Sequence, residues 1–86
     1  MIEDVRETTL VLLKARAADA TICPSEVARL MIVQGKPEYG AQDWRGVMPL
    51  VHKAVDELVA EGRVRLSWKG KTLSTRSGPY RIGRST

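Results

Sequence analysis

One segment, residues 43–62 (DWRGVMPLVHKAVDELVAEG), constrains the fold of this chain more than any other. With a helical step of about 100° per residue, its large apolar side chains share one broad face and its polar side chains share the opposite one. Gly62 follows where a helix commonly ends. We therefore predict a long amphipathic helix that other elements must cover. The apolar face holds Trp44, Val47, Met48, Val51, Val55, Leu58 and Val59, and the polar face holds Arg45, Pro49, His52, Lys53 and Asp56.

Pro49 allows two predictions for the first residue of this helix. Asp43 fits the N-cap position before Trp44. A proline beyond the first turn, however, removes a backbone hydrogen bond and costs about 3 kcal/mol in a regular helix. Either the regular helix begins near Pro49, or it begins at Trp44 and kinks at Pro49. In both cases Arg45 lies near the helix start, where a helix N-terminus favours a phosphate.

The segment that follows is strand-like and basic. Residues 63–69 alternate strictly between basic or polar and apolar side chains, which predicts a half-buried strand with Val64, Leu66 and Trp68 facing inward. Gly70 turns the chain. Residues 79–84 are predicted as the returning strand, with Tyr80 and Ile82 inward, so that residues 69–78 form a polar loop between the two strands. Leu73 is the apolar exception in that loop and is expected to attach it to the core.

The first half of the chain predicts two helices and a short strand. Apolar residues at helical spacing and a run of alanines predict a first helix over residues 2–18. Residues 21–23 are β-prone and are expected to form a small edge strand, with Cys23 a small buried hydrophobe at its end. Pro24 suits the first position of a helix that runs from about 24 to 33. Residues 34–42, rich in glycine and proline, are predicted as a loop.

The order of elements is helix, strand, helix, helix, strand, strand. This order predicts an α+β fold, a winged helix-turn-helix in one domain over residues 1–86, with three helices, a small antiparallel sheet and a C-terminal β-hairpin wing. The second helix positions the third, which reads the partner. A plain three-helix bundle with a flexible tail is the alternative, and the alternation of residues 63–69 argues against it.

Charge is distributed unevenly along the chain. The net charge is +4, but residues 1–43 carry −2 and residues 44–86 carry +6, and no acidic residue follows Glu61. Such asymmetry favours a polyanion as the partner of the C-terminal half. The alternative is that lysines and arginines only keep the sheet edge soluble. After Glu61 the sequence carries seven basic residues that we expect to be uncompensated, namely Arg63, Arg65, Lys69, Lys71, Arg76, Arg81 and Arg84.

The sequence does not predict an enzyme. It has no nucleophile elbow, phosphate loop or zinc-protease pattern, and His52 is its only histidine. With Cys23 as its only cysteine, it also lacks the four ligands of a structural zinc site, so we expect no metal and no cofactor. The acidic N-terminal residues do not resemble a signal peptide, and no window is apolar enough to span a bilayer. A cytoplasmic protein without membrane contact is expected.

Duplex DNA is the partner that the pattern favours. Side chains of the third helix are expected to face the major groove or its phosphates, while the wing follows the backbone or the minor groove. His52 has a second interpretation as a solvated surface histidine. Because base-reading side chains are few, we expect modest sequence selectivity and a role in transcription regulation. The predicted nucleic-acid-binding residues are Arg45, His52 and Lys53 in the helix, Lys69, Lys71, Thr72 and Arg76 in the wing, and Arg29 at a flanking phosphate.

Three other partners remain open at this point. Winged helices also serve as protein-interaction modules, and a fold alone does not fix a function. The residues expected on such a surface are Tyr39, Pro49 and Ala60. A homodimer is a further alternative, since it would double the contacts of a single winged helix. RNA bound through the same basic hairpin is the third.

The residues between the first strand and the wing resemble a known family. Residues 22–29 (ICPSEVAR), followed by Trp44-Arg45 and Met48-Pro49, are similar to the pattern of an uncharacterised bacterial family catalogued as a domain of unknown function. In that family the same residues precede a basic hairpin with K-G-K and G-P-Y/I-R, present here at residues 69–71 and 78–81. The resemblance covers nearly the whole chain. It implies a small bacterial winged-helix protein and implies no activity.

Overall fold

The computed structural model of the chain describes residues 2–34, 44–76 and 78–85. The elements are α1 (Ile2–Lys14), β1 (Thr21–Ile22), α2 (Pro24–Val33), α3 (Trp44–Ala60), β2 (Val64–Trp68), β3 (Lys71–Leu73) and β4 (Arg81–Arg84). Within these ranges the strands form one antiparallel sheet of order β1-β4-β2-β3, which α1 and α3 contact, and α3 packs against both α1 and α2. This is the α+β, winged-helix layout that the order of elements predicts.

The apolar face of α3 is the centre of the core. Val47, Val51 and Leu58 are at most 2% exposed, as the helical spacing predicts. Trp44 and Met48, at the start of the helix, are half-buried against this core. The helix runs without interruption from Trp44 to Ala60 and contains Pro49 on its exposed side, which decides between the two predicted starts. Since proline has no N–H, the carbonyl of Arg45 receives no bond from the residue four positions on.

Gly62 ends α3 as predicted. Its φ of 72° is a left-handed conformation that other residues adopt at a cost, and its N–H donates to the Val59 carbonyl at 3.0 Å. The N–H of Arg63 donates to the Leu58 carbonyl at 2.9 Å. These bonds close the last turn and direct the chain straight into β2.

The first helix is shorter than predicted. It ends at Lys14, whereas the alanine-rich sequence favoured a helix to residue 18. Arg84 of β4 explains the difference, because its guanidinium donates hydrogen bonds to the carbonyls of Leu13, Lys14 and Arg16. A contact from the opposite end of the chain thus satisfies carbonyls at the end of α1, in addition to the Arg16 N–H, which donates to the Leu13 carbonyl at 3.1 Å.

The second helix and its start match the prediction. It spans Pro24–Val33, with Pro24 in its first turn. The Cys23 N–H donates to the Glu26 carboxylate at 2.7 Å, which satisfies a backbone donor at the helix start. Cys23 itself is half-buried, not fully buried as predicted, and Arg81 Nη1 approaches its sulfur at 3.6 Å.

The wing differs from the predicted hairpin in one respect. Strands β2 and β4 pair antiparallel, as expected, and Tyr80 and Ile82 are buried. The predicted loop between them, however, contains a further strand, β3, which pairs with the outer edge of β2 immediately after a two-residue turn. Leu73, at the end of β3, is half-buried against the core, as expected.

Trp68 does not face the core as predicted. It is the last residue of β2, paired with Lys71 beside the turn, and it is 37% exposed. All its neighbours from Lys69 to Thr72 are exposed, so the hairpin extends past the part of the sheet that the helices cover. The predicted N-cap Asp43, Tyr39 and all but the first residue of the predicted 34–42 loop lie outside the described residues.

Candidate nucleic-acid interface

The polar face of α3 is the first component of the candidate interface. Burial of the opposite face turns Arg45, Pro49, Lys53 and Asp56 outward, one helical turn after another, and all four are exposed. Arg45 and Lys53 therefore lie where the helical period predicts them. Lys53 contacts no carboxylate in the part of the chain that the structure describes.

The hairpin of β2 and β3 is the second component. Its turn consists of Lys69 and Gly70, with φ values of 51° and 82°, the pair of positive angles typical of a type I′ turn. Such a turn matches the twist of the two strands and holds the hairpin tip in one geometry. Lys69, Lys71 and Thr72 are all exposed on it. Neither lysine contacts a carboxylate among residues 2–34, 44–76 and 78–85.

An ion pair attaches the base of the wing to α3. Arg76 Nε and Nη2 donate to the two carboxylate oxygens of Asp56, each at 3.0 Å. These hydrogen bonds lower the pKa of Asp56 and raise that of Arg76. The two side chains remain 48% and 35% exposed, so the pair is a surface one. Arg76 was predicted as a phosphate contact, and it lies on this face already paired with a carboxylate.

His52 and Tyr80 form a second attachment beside the ion pair. His52 Nδ1 lies 2.6 Å from the Tyr80 hydroxyl, and the two rings are 5.6 Å apart. Burial, followed by the positive charge of Arg76, lowers the pKa of His52, while Asp56 opposes this change. Burial likewise raises the pKa of Tyr80. The interpretation of His52 as a solvated surface histidine is therefore wrong, since its ring is half-buried beneath the wing.

Two arginines meet at Trp44, the first residue of α3. The guanidinium carbon of Arg29, from α2, lies 4.7 Å from the centre of the Trp44 ring, and that of Arg45 lies 4.6 Å from it. Both distances are typical of cation–π contacts. Arg29 is exposed and stacks on Trp44 across the α2–α3 connection. Two residues predicted separately as phosphate contacts are thus held by one indole.

Several other arginines serve the fold through hydrogen bonds to neutral oxygens, which leave their positive charges uncompensated. Among the described residues after Glu61, the expectation of uncompensated cations is corrected for Arg76, which pairs with Asp56. Arg84 caps α1, as described above, and Arg81 Nε donates to the Thr21 hydroxyl at 2.7 Å. Arg65 donates to the Ser85 carbonyl at 3.2 Å. Lys53, Arg63 and the two hairpin lysines, in contrast, make no side-chain hydrogen bond or ion pair within the described residues. Three of these four cations lie on the wing tip and α3.

Two of the three carboxylates that follow Trp44 lie on the side that faces α1, away from the wing. Arg6 of α1 donates to Glu57 at 2.9 Å and to Glu61 at 2.6 Å, which binds α1 to the C-terminal half of α3. Arg16 pairs with Glu26 at 2.8 Å. Of the three acidic residues that follow Trp44, Asp56 alone therefore borders the wing. Among the described residues, it is the one negative charge on this face.

Sequence reasoning missed two residues that organise this surface. Both Trp44 and Tyr80 were predicted for the core. Trp44 also contacts Arg45, and Tyr80 also contacts His52, and both partners are predicted site residues. The adjacency of Trp44 and Arg45 is the only signal in the sequence for the first contact. The second joins residues 28 positions apart, and nothing in the local pattern indicates it.

Other kinds of site have little support in the described ranges. No three His, Cys, Asp or Glu side chains there are grouped as metal ligands. No helix there is long and apolar enough to cross a membrane.

A comparison with known protein families identifies the family of this chain. Residues 3–85 match the profile of a family described as a protein of unknown function, DUF3253. The chain belongs to the DUF3253 family. No curated protein matches it. DUF3253 carries no assigned activity, so its charged surface and contacts are what indicate a role for this member.

Proposed function

We propose that this DUF3253 protein binds duplex DNA through the polar face of α3 and the β2–β3 wing. One observation carries the proposal. Lys53, Lys69 and Lys71, three exposed cations that contact no carboxylate in the described residues, lie on the two elements with which a winged helix approaches DNA. Phosphate contacts dominate, because base-reading side chains are few on α3. Transcription regulation in the bacterial cytoplasm is the setting we propose for this activity.

The proposal predicts strong salt dependence. Four to six phosphate contacts give a slope of about −4 to −5 in a plot of log affinity against log salt concentration. Fluorescence polarisation of a labelled duplex, titrated at several salt concentrations, measures this slope. Absence of binding to any duplex at low salt would refute the proposal.

A matched pair of variants tests the wing. Lys69→Gln with Lys71→Gln removes two exposed charges from the wing. We expect the magnitude of the slope to decrease by about 2 because two phosphate contacts are lost. Lys14→Gln with Arg63→Gln removes the same charge at exposed positions on α1 and before β2. Equal loss of affinity in the two double variants would mean that net charge alone, without the wing, determines binding.

A protein-interaction module is the second candidate, and one observation favours it. Val11 and Val33 are 56% and 79% exposed. Val11 lies in an open groove of about 390 Å³ between α1 and α2 that Asp4, Glu7 and Leu30 also line. Pro49 and Ala60, predicted for a partner surface, are exposed as well, on α3. Replacement of Val11 and Val33 by serine would leave DNA binding unchanged and weaken a protein contact.

A further inference from the structure

We propose that Trp68, in the wing tip formed by residues 68–71, stacks on an unpaired base, so that the protein prefers DNA duplexes that carry a single-stranded extension. This inference rests on the proposed function, because it names the form of DNA that the same wing takes. It adds one contact to a base beside the phosphate contacts proposed for Lys69 and Lys71.

The exposure of Trp68 is the first observation. Its side chain is 37% exposed, whereas Tyr80 is 4% exposed and Trp44 is half-buried against the core. The Trp68 ring makes no ring–ring or cation–π contact with any residue that the structure describes. An indole carries a large apolar surface that water solvates poorly. A ligand with a flat apolar face would cover that surface.

The register of the wing places Trp68 on a particular side of the sheet. Leu66 lies directly opposite Leu73, and Trp68 lies directly opposite Lys71 as the next pair on the same face. Leu66 is 1% exposed within the core, and β2 contacts α3. Trp68 therefore continues the face of the sheet that the core covers, beyond the end of that cover.

Positive charge accompanies the ring. Because Lys71 is directly opposite Trp68, the Cβ atoms of the pair are about 4.5–5.5 Å apart. The φ values of 51° and 82° at Lys69 and Gly70 form the tight turn that fixes this tip. Both lysines are exposed and contact no carboxylate within the described ranges. A nucleotide presents a flat base and an anionic phosphate, so a ring with ammonium groups beside it matches both parts.

The limited exposure of the ring favours a base that is already unstacked. In a closed duplex the faces of the bases are covered by their neighbours, and a side chain that enters the stack must offset the free energy of unstacking. An unpaired base in a single-stranded extension presents its face without that cost. Since only 37% of Trp68 is exposed, we expect it to stack on such a base rather than to separate a base pair.

Three DNA ligands with the same duplex part test the inference on the wild-type protein. One is blunt, one carries a short single-stranded extension, and one carries an extension of abasic nucleotides, which keeps the phosphates and removes the bases. In polarisation titrations at constant salt, the extension with bases should bind at least about fivefold more tightly than the abasic one, the equivalent of about 1 kcal/mol. Indole emission should be quenched along the same binding curve. A single-stranded oligonucleotide is titrated separately.

Two substitutions separate the ring of Trp68 from its place in the strand. Trp68→Val removes the ring and keeps a β-branched residue that suits β2, and affinity for the extension should fall to the abasic value. Trp68→Phe keeps an aromatic face and should retain the preference, but the quenching should disappear because Trp44 is the only indole left. Val11→Ser alters an exposed apolar residue on α1 and should leave the preference unchanged. Circular dichroism confirms that each variant is folded.

The outcomes separate this inference from the proposed function. Equal affinity for the two extensions, with both bound, would overturn the stacking and leave duplex binding standing, as would a preference retained in Trp68→Val. Binding and quenching by the single-stranded oligonucleotide alone, with the quenching lost in Trp68→Phe, would support the stacking and refute the proposed duplex contact. No binding to any of these DNAs would overturn both. The comparison of the two extensions needs no variant, so it decides even if Trp68→Val does not fold.

Discussion

Arg76 donates two hydrogen bonds to Asp56, so the basic loop after β3 meets the polar face of α3 through an ion pair. The pair has two consequences for a polyanion. Asp56 holds the guanidinium that the sequence assigned to phosphate, and its own negative charge lies on the surface that the polyanion would approach. Under the proposed function, DNA and Asp56 would therefore compete for Arg76.

Replacing Asp56 by asparagine should strengthen DNA binding. The variant removes an opposing charge and releases Arg76, so we expect affinity at low salt to rise roughly fivefold, the equivalent of about 1 kcal/mol. Stability should change by less than about 1 kcal/mol because the ion pair is exposed. Glu57→Gln, measured by the same polarisation titration, is the control, since Glu57 pairs with Arg6 on the side facing α1. Equal gains in the two variants would contradict a local role for Asp56.

The pH dependence of stability should report the burial of His52. Its folded-state pKa is lowered, first by burial and then by Arg76, below the unfolded value of about 6.5. The unfolded chain therefore binds more protons in this range, so the stability that His52 contributes is present above that pH and is lost as the pH falls through the folded pKa. Urea unfolding of wild type and His52→Gln across this range should show a difference that shrinks toward acid. A constant difference would contradict the shifted pKa.

Neutralising Arg76 should move the His52 pKa upward. In Arg76→Gln the charge that lowers this pKa is gone, and the remaining charge of Asp56 raises it. Because His52 is the only histidine, its ring-proton resonances give the titration directly by NMR. Arg65→Gln removes an exposed arginine from β2 and should leave the resonance titration as in wild type. An unchanged pKa in Arg76→Gln would mean that burial alone sets it.

The elements of this fold were largely predictable because their patterns are local. The spans of α2 and of the buried face of α3 follow from apolar spacing, and Gly62 and Pro24 mark helix ends by their own backbone chemistry. The predicted 63–69 strand was correct for the same reason, apart from Trp68 at its exposed end. The strand β3 was missed because three residues are too few for alternation to be recognised.

The contacts within the candidate site were not predictable, because they depend on residues far apart in the chain. The net charge of each half of the sequence identified the positive half, but it does not distinguish an arginine that supports the fold from one that is available to a partner. Only the tertiary structure separates Arg84, which caps a helix 71 residues away, from Lys69, which contacts no carboxylate in the described ranges. Helical angle placed His52 on the polar face correctly. It could not indicate that the wing brings Tyr80 over that face.

Loss of the Arg84 cap should destabilise the protein. The guanidinium donates to three carbonyls at the end of α1, where the helix dipole also favours a positive charge. We expect Arg84→Ala to lower the free energy of unfolding by about 1–3 kcal/mol, measured by urea denaturation. Arg65→Ala, which loses one exposed bond of 3.2 Å to the Ser85 carbonyl, should change it by less than about 0.5 kcal/mol. Similar values for both would show that α1 does not depend on Arg84.

Substitution of Lys69 should change stability and DNA binding in opposite directions. Lys69 has a φ of 51° at the first position of the β2–β3 turn, a conformation that asparagine adopts more readily than lysine. Lys69→Asn should therefore raise the free energy of unfolding by up to about 1 kcal/mol, because Asn-Gly is the preferred type I′ pair. The same change removes a wing-tip cation, so the magnitude of the salt slope of DNA binding should decrease by about 0.9. Gly70→Ala, at a φ of 82°, is the converse control, since it strains the turn and keeps the charge. Lower affinity together with higher stability in Lys69→Asn would show that the wing tip keeps a strained residue for the sake of its charge. Unchanged affinity in the stabilised variant would remove Lys69 from the interface.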